Sequence, residues 1–403
     1  MRMIAFFLVV LFSLTGCSTK VEEVSAERSD NLDISDENKI FSVYYAEKEW
    51  EKSPLETNEG CMSGAYIVED KIVSGDWKRF EEVTKHSHNI YGYVMRAGEE
   101  FPLTWALECF VEGKIPMIAL YPRSGNDPYE YESILKTAEE AGAFQIPLFL
   151  YFYPNATAYG DGKAYGDFYG KARRAFREKA PNAVFIWGVS AEDGEKALDY
   201  YPGDTYVDWI GLDVFEKSGE QGIGVSEQVE RWYNTWQKRK PLMISQLAIS
   251  HYSSKDSRYT EKEVALELER FYESMGAYPR IKAVVYQEGE AFEDGAKMAI
   301  RQNYLLTDND RILEAYTRAI STERWNLDSE KAFEGEMFRS PFLAYETDGH
   351  IYLQENTVRF DLGEKVLGEG KIINEKRCIP MNCLNGYEVK REGQNLFLQK
   401  VDK

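Results

Sequence analysis

Between Gly60 and Ala319 the chain repeats one pattern: a short apolar run rich in β-branched and aromatic residues, a polar loop, then apolar positions at helical spacing. The pattern predicts strands at Ser63–Val68, Asn89–Met95, Pro116–Tyr121, Pro147–Tyr153, Ala183–Val189, Val207–Val214, Leu242–Leu247 and Lys282–Gln287. Several are apolar on both faces, as in Ile115-Pro-Met-Ile-Ala-Leu-Tyr121, which is how a parallel strand under a layer of helices reads. Helices are predicted at Asp76–Thr84, Pro102–Glu112, Tyr129–Ala141, Tyr165–Lys179, Val225–Lys238 and Thr260–Met275, with Gly113, Gly142 and Lys240-Pro241 as stops. Alternation counted to eight over about 260 residues predicts an α/β fold, a (β/α)8 TIM barrel. An open doubly wound sheet is the other arrangement such alternation allows, but no Gly-rich phosphate loop follows the first strand.

Both ends of the chain depart from this pattern. Met1-Arg-Met precedes an apolar run from Ile4 to Leu14, too short to cross a bilayer, and then Thr15-Gly-Cys-Ser18. The ending Leu14-Thr-Gly-Cys17 resembles the bacterial lipobox, which implies a signal peptide over 1–17, a lipid on Cys17 and residence on the extracellular face of a bacterial membrane. Residues 18–40 are acidic and poor in apolar positions, as a solvated tether would be. The barrel is then expected over 41–320, a linker over 321–338, and a small β-rich domain over 339–403. In that domain short alternating runs stand at Phe342–Tyr345, His350–Leu353, Thr357–Asp361, Lys371–Ile373, Tyr387–Arg391 and Leu396–Gln399, split by turn signals such as Thr347-Asp-Gly349. Its final stretch, Arg377-Cys-Ile-Pro-Met-Asn-Cys-Leu-Asn-Gly-Tyr-Glu-Val-Lys-Arg-Glu-Gly-Gln-Asn-Leu-Phe-Leu, resembles the copper-amine-oxidase N-terminal-like domain. That likeness implies attachment to an envelope partner. It implies no copper, since His350 is the domain's one histidine.

Charge and composition narrow the chemistry. A net charge of −20 argues against a nucleic-acid groove. Cys61, Cys109, Cys378 and Cys383, with His86, His88, His251 and His350, form no zinc-like spacing, and neither metal nor cofactor is expected. In a barrel of this kind chemistry sits where strands end. Those ends carry Glu69/Asp70, Arg96, Tyr121, Tyr153–Thr157, Trp187–Asp193, Asp213, Gln246–His251 and Gln287–Glu290. Flat rings beside amides and hydroxyls suit sugar rings, so Tyr121, Tyr153, Trp187, Asp213 and Tyr286 are the candidate substrate-binding residues. Trp187 and Trp209 read equally well as core. Asp193-Gly-Glu195 reads as the opening of a helix after strand five.

Three stretches carry a family resemblance. Tyr200-Tyr-Pro-Gly-Asp-Thr-Tyr-Val-Asp-Trp-Ile-Gly-Leu-Asp213 is similar to the strand-six segment of glycoside hydrolase family 26, the β-mannanase family. Pro181-Asn-Ala-Val-Phe-Ile-Trp187 resembles its strand five, and Lys240-Pro-Leu-Met-Ile-Ser-Gln246 its strand seven. The resemblance implies a (β/α)8 barrel and retaining hydrolysis of β-mannans or related β-glucans by two carboxyl groups about 5–5.5 Å apart. The family's acid/base Glu position falls on Asn155 and its nucleophile position on Gln246. An amide cannot donate a proton to a leaving oxygen at neutral pH, yet it keeps the size and hydrogen-bonding capacity needed to hold a sugar. The expectation is a surface lipoprotein that binds a β-linked polysaccharide (β-mannan, β-glucan or an exopolysaccharide) with lost or much reduced hydrolysis. The alternative is an active retaining hydrolase with relocated carboxylates, for which Glu192, Glu288 and Glu290, with Asp213, are the candidates.

Overall fold

The computed structural model describes residues 39–45, 52–68, 72–125, 127–218, 225–253, 257–292, 300–325, 327, 342–355, 358, 369–373, 376–384, 386–392 and 395–401. The export signal with Cys17, the tether up to 38, Glu69, Asp70, most of 321–338, and the run Thr357–Asp361 apart from Val358 lie outside the described residues. In chain order the strands are β1 (Lys39–Tyr45), β2 (Met62–Ile67), β3 (Ile90–Arg96), β4 (Ile115–Tyr121), β5 (Leu148–Phe152), β6 (Ala183–Ser190), β7 (Trp209–Glu216) and β8 (Leu242–Ile249). There follow β9 (Tyr252–Ser253), β10 (Arg258–Tyr259), β11 (Ile281–Glu288), β12 (Glu290–Phe292) and β13 (Ile300–Asn303). The last are β14 (Phe342–Thr347), β15 (His350–Gln354), β16 (Lys371–Ile373), β17 (Lys376–Pro380), β18 (Tyr387–Glu392) and β19 (Asn395–Lys400).

Strands β2 to β8 and then β11 close a parallel barrel, β11 pairing back onto β2. All eight coincide with the runs read from the sequence, with ends shifted by one or two residues. The helices on the outside are α1 (Trp77–Thr84), α2 (Leu103–Val111), α3 (Tyr131–Phe144), α4 (Gly162–Lys179), α5 (Val225–Trp236), α6 (Glu261–Ser274) and α7 (Asp310–Ile320). Asp76, Asp161 and Asn309 cap α1, α4 and α7 by accepting backbone N–H bonds, so short polar residues set where these helices start. Between β6 and β7 the chain forms a 3-10 segment, Ala191–Tyr200, instead of the helix expected from Asp193-Gly-Glu195. Gly194, at φ 57 and ψ −142, breaks it. Gly142 is likewise no stop: α3 runs past it to Phe144, and a Cβ at Gly142 would lie 2.0 Å from the Lys179 carbonyl at the end of α4. The glycine is there for close approach of two chain segments.

The barrel has two apolar layers. Inside it pack Met62, Tyr66, Ile90, Met117, Phe149, Tyr151, Ile186, Trp209, Met243 and Val285. Between strands and helices lies a larger layer that includes Tyr91, Phe152, Phe185, Trp187, Trp232, Trp236 and Tyr286. Inside, large rings lie against glycines of neighbouring strands: a Cβ at Gly92 would fall 1.9 Å from the Tyr66 ring, and one at Gly188 2.0 Å from the Tyr151 ring. The lower end is closed by residues 53–58. There Glu56 pairs with Arg280 at 3.0 Å with both side chains buried, and the Trp209 indole donates to the Pro54 carbonyl at 2.8 Å.

The C-terminal β-rich part is a seven-stranded sheet in the order β16-β17-β15-β14-β1-β19-β18. Its central strand comes from the other end of the chain. β1 pairs antiparallel with β14 and parallel with β19, so residues 41–45, read from sequence as the start of the barrel, belong to this sheet. Local pattern cannot reveal a partner some 300 residues away. A further small sheet, β10-β9-β13-β12, forms from the loops after β8 and β11. Among the described residues no helix is long and apolar enough to cross a membrane.

Candidate functional site

The C-terminal ends of the barrel strands bring together Tyr66, Arg96, Tyr121, Tyr151, Asp213, Ser245 and Gln246. Asp213 is the centre. It points inward from β7 and is 5% exposed; one carboxyl oxygen accepts from the Tyr151 hydroxyl at 2.7 Å and the other from the Ser245 hydroxyl at 2.7 Å. Burial pushes the carboxyl up to about 7; the two hydroxyl bonds oppose the shift and the Asp193 charge adds to it. The register explains the neighbours. Leu212 faces Ile244, but Asp213 faces Gln246, so Ser245 is an extra residue in β8, a bulge. The bulge lets consecutive residues serve one site: Ser245 bonds Asp213, while Gln246 stands by Tyr121.

Tyr121, at the end of β4, is half-buried. Burial pushes its phenol up to about 12, the Asp213 charge adds to this, and the Gln246 amide and Arg96 guanidinium oppose it. Tyr66, 3% exposed, lies within the field of Tyr121 and Asp213, and its phenol is pushed well up by burial and by these two groups. Its hydroxyl has no hydrogen-bond partner among the described residues. Arg96 is exposed at the end of β3, where its Nη1 donates to the Pro122 carbonyl at 3.2 Å. The nearby Glu99 carboxylate accepts instead from the Arg96 backbone N–H, at 2.7 Å.

Asn155 follows β5 through an unusual turn. Tyr153 and Asn155 both take the left-handed conformation, with φ of 48 and 59. That region is rare for a bulky side chain and marks local strain. The turn leaves Asn155 exposed. The Thr157 hydroxyl donates its one hydrogen to Asp193 Oδ2 at 2.8 Å, and Asn155 Oδ1 lies 3.2 Å from the same hydroxyl oxygen, so a carboxyl group stands beside the Asn155 position.

Several sequence-derived candidates lie elsewhere. The left-handed turn swings the Tyr153 ring out of alternation, onto Phe152, with centroids 4.4 Å apart; at 1% exposure it is core. Trp187 faces outward from β6, fully buried against Tyr201, Trp232 and Trp236. Tyr286 faces outward from β11, its hydroxyl donating to the Tyr304 carbonyl at 2.9 Å. These three are corrected from groove to core: the two-residue period puts Trp187 and Tyr286 on the strand face that meets the helices, and the left-handed turn puts Tyr153 there. Glu288 is also outward and fully buried, accepting from Leu306 N, Thr307 N and the Thr307 hydroxyl, which makes it the anchor of the loop before α7. Glu192 is 62% exposed beside Lys217, and Glu290 sits on β12 in the small sheet. None of these glutamates touches Asp213.

Sequence reasoning passed over Tyr66, Tyr151 and Ser245, and read Asp193 at a strand end only as the opening of a helix. The signal was present for the tyrosines: inward glycines on adjacent strands, Gly92 and Gly188, leave room for a ring each. Ser245 depends on a bulge, which no residue pattern announced.

Residues 151–255 match the sequence model of Glycosyl hydrolase family 26. This segment runs from β5 to just past β8 and so contains both Asn155 and Gln246. No curated protein matches the chain. Among solved structures, the modular endo-beta-1,4-mannanase of Cellulomonas fimi is similar with a TM-score of 0.52 and 14% identity, over 70% of this chain and 75% of that one. GH26C from a Muricauda species gives a TM-score of 0.52 at 10% identity, over 69% of this chain and 91% of that one. The chain shares with these proteins the eight-stranded barrel and, over 151–255, the sequence pattern of glycosyl hydrolase family 26.

Proposed function

We propose that the barrel binds a β-linked polysaccharide at its mouth and has lost most or all hydrolysis, on a protein held at the outer face of a bacterial membrane by lipid on Cys17. What supports this reading is that the resemblance puts amides, Asn155 and Gln246, at the family's two carboxyl positions, within a mouth that keeps tyrosines and a buried Asp. Acid–base help alone is worth about 10²–10⁴-fold in rate, so losing both groups leaves little turnover by that route. The similar mannanase from Cellulomonas fimi is an endo-beta-1,4-mannanase, which supports a β-linked polymer as ligand. The C-terminal sheet, by its resemblance, would attach the molecule to an envelope partner. A paired assay tests the reading: reducing-end release from β-mannans, β-glucans and exopolysaccharides, with calorimetric binding to the same panel. Binding without release is expected; rapid release would overturn the loss of hydrolysis.

A second reading has one observation in its favour. Asp193, bridged to Asn155 by Thr157 and felt by Asp213, places two carboxyl groups around the mouth. If release is seen and Asp193→Asn abolishes it, that pair has replaced the family's glutamates.

A further inference from the structure

The charge balance of the mouth bears on what kind of glycan it takes. A family nucleophile at the position of Gln246 would place a negative charge there, whereas a family acid/base at the position of Asn155 would be held protonated; both are amides in this chain. The remaining central carboxyl, Asp213, is pushed up to about 7, so much of its negative charge is absent at neutral pH. The Asp193 carboxyl group stands at the rim, accepting from the Thr157 hydroxyl. Against this stands Arg96. Among the described residues no carboxylate meets its guanidinium; the nearest candidate, Glu99, is spent on the backbone of Arg96 itself. Of the other surface guanidinium groups, Arg239 on Asp204, Arg258 on Glu263 and Arg318 on Glu269 take carboxylate partners, while Arg174 and Arg177 bond the Tyr206 hydroxyl and the Thr205 carbonyl. The Arg96 charge is felt by Tyr121 and Tyr159, which places it over the tyrosine-lined mouth.

A second observation points to a ligand at the same place. The Tyr66 hydroxyl is buried, has no partner among the described residues, and lies within the field of Tyr121 and Asp213. A buried donor without an acceptor is costly, and a bound polar group would relieve it.

We propose that the polysaccharide bound at this mouth is a uronic-acid glycan, whose sugar carboxylate is taken by the Arg96 guanidinium while the Tyr66 hydroxyl donates to an oxygen of the same or the adjoining sugar. This rests on the glycan-binding reading of the barrel. Guanidinium and carboxylate match as two parallel N–H···O bonds, and neither a hydroxyl nor an acetyl group offers that geometry. Loss of the family's nucleophile carboxylate has the same sense: it removes a charge that would repel an acidic sugar.

Calorimetry of the folded chain from Ser18 onward against alginate, β-mannan and dextran sulfate tests this, at low salt and at 0.3 M salt. Alginate is expected to bind at least tenfold more tightly than β-mannan, with part of that advantage lost at high salt. Arg96→Gln should lower alginate affinity about tenfold, Arg96→Lys should restore part of it, and Arg318→Gln at the far end of the barrel should change nothing. Binding of β-mannan in preference to alginate would overturn the acidic ligand while keeping a glycan-binding barrel. Equal binding of dextran sulfate and alginate would also overturn it, as charge attraction without recognition. Absence of binding to any of the three would sink this proposal, and the reading on which it rests would fall with it only if β-glucans and exopolysaccharides also failed to bind.

Discussion

The two ends of the barrel treat buried charge in opposite ways. At the lower end Glu56 meets the Arg280 guanidinium at 3.0 and 3.3 Å, Arg280 also donates to the Gln237 carbonyl, and Glu56 accepts from the Ser53 backbone N–H. At the mouth Asp213 meets only two hydroxyls and is pushed up to about 7, and Tyr66 has a hydroxyl without a partner among the described residues. The lower end is closed, and its buried charges meet each other. The mouth keeps a buried carboxyl group bonded by hydroxyls and a Tyr66 hydroxyl with no partner among the described residues. In barrels of this architecture the lower end serves stability and the strand-terminal end serves function, and here the two ends differ in how a buried carboxyl group is met, by a guanidinium below and by hydroxyls at the mouth.

The comparison can be broken at either end. Glu56→Gln leaves Arg280 buried without its counter-charge and should destabilise the fold by about 3–5 kcal/mol in urea or thermal unfolding. Glycan affinity of the protein that remains folded should not move. A loss of affinity would mean that the two ends are coupled.

Asp213→Asn should act the other way. Its folded pKa lies above the unfolded value of 3.8, so its contribution is favourable below pH 4 and is lost as pH rises toward 7. About three units would correspond to as much as ~4 kcal/mol at pH 8, and the substitution should recover a part of that, of order 1–3 kcal/mol. At pH 4 the gain should vanish. Urea midpoints of wild type and variant across pH 4–8 check this, and a gain independent of pH would refute the burial penalty.

Gly188→Ala places a methyl group 2.0 Å from the Tyr151 ring and should cost about 1–3 kcal/mol by overpacking. It should also disturb the Tyr151 bond to Asp213, and so change the pH profile of stability as well as its level. The smallest effect is expected from Tyr66→Phe: stability within about 0.5 kcal/mol of wild type, since no hydrogen bond inside the protein is lost. Affinity for the glycan should nevertheless fall several-fold. A large destabilisation would show that the hydroxyl already has a partner in the unliganded protein.

A buried histidine pair near the lower end sharpens the contrast in pH. His86 bonds the Ser63 hydroxyl at 2.9 Å, His88 bonds the Tyr316 hydroxyl at 2.9 Å, and burial pushes His86 down to about 4 and His88 well below its ordinary value. With folded values below the unfolded 6.5, their contribution is present above pH 6.5 and is lost as pH falls toward 4. Acid therefore weakens the lower end while relieving the mouth.

The barrel was legible because parallel strands buried on both faces announce themselves as apolar runs, and all eight did. What pattern could not give was direction. Trp187, Tyr153 and Tyr286 stand at strand ends and have the right chemistry, yet alternation or a left-handed turn aims each into the helix layer. The same alternation, read with the glycines opposite, would have turned Tyr66 and Tyr151 inward. Glu288 read as a rim carboxylate because a buried Glu bonded by three loop donors looks the same in sequence as a solvated one. The placement of β1 in the C-terminal sheet, between β14 and β19, was out of reach for local reasoning altogether.

The most direct test of the claim that the mouth, and not the lower end or the C-terminal sheet, meets the glycan is hydrogen–deuterium exchange with and without bound polysaccharide. Added protection is expected at the ends of β4, β7 and β8 and in residues 153–159, with residues 53–58 and the strands β14 to β19 unchanged. Protection confined to the C-terminal sheet, with the mouth unaltered, would contradict the account.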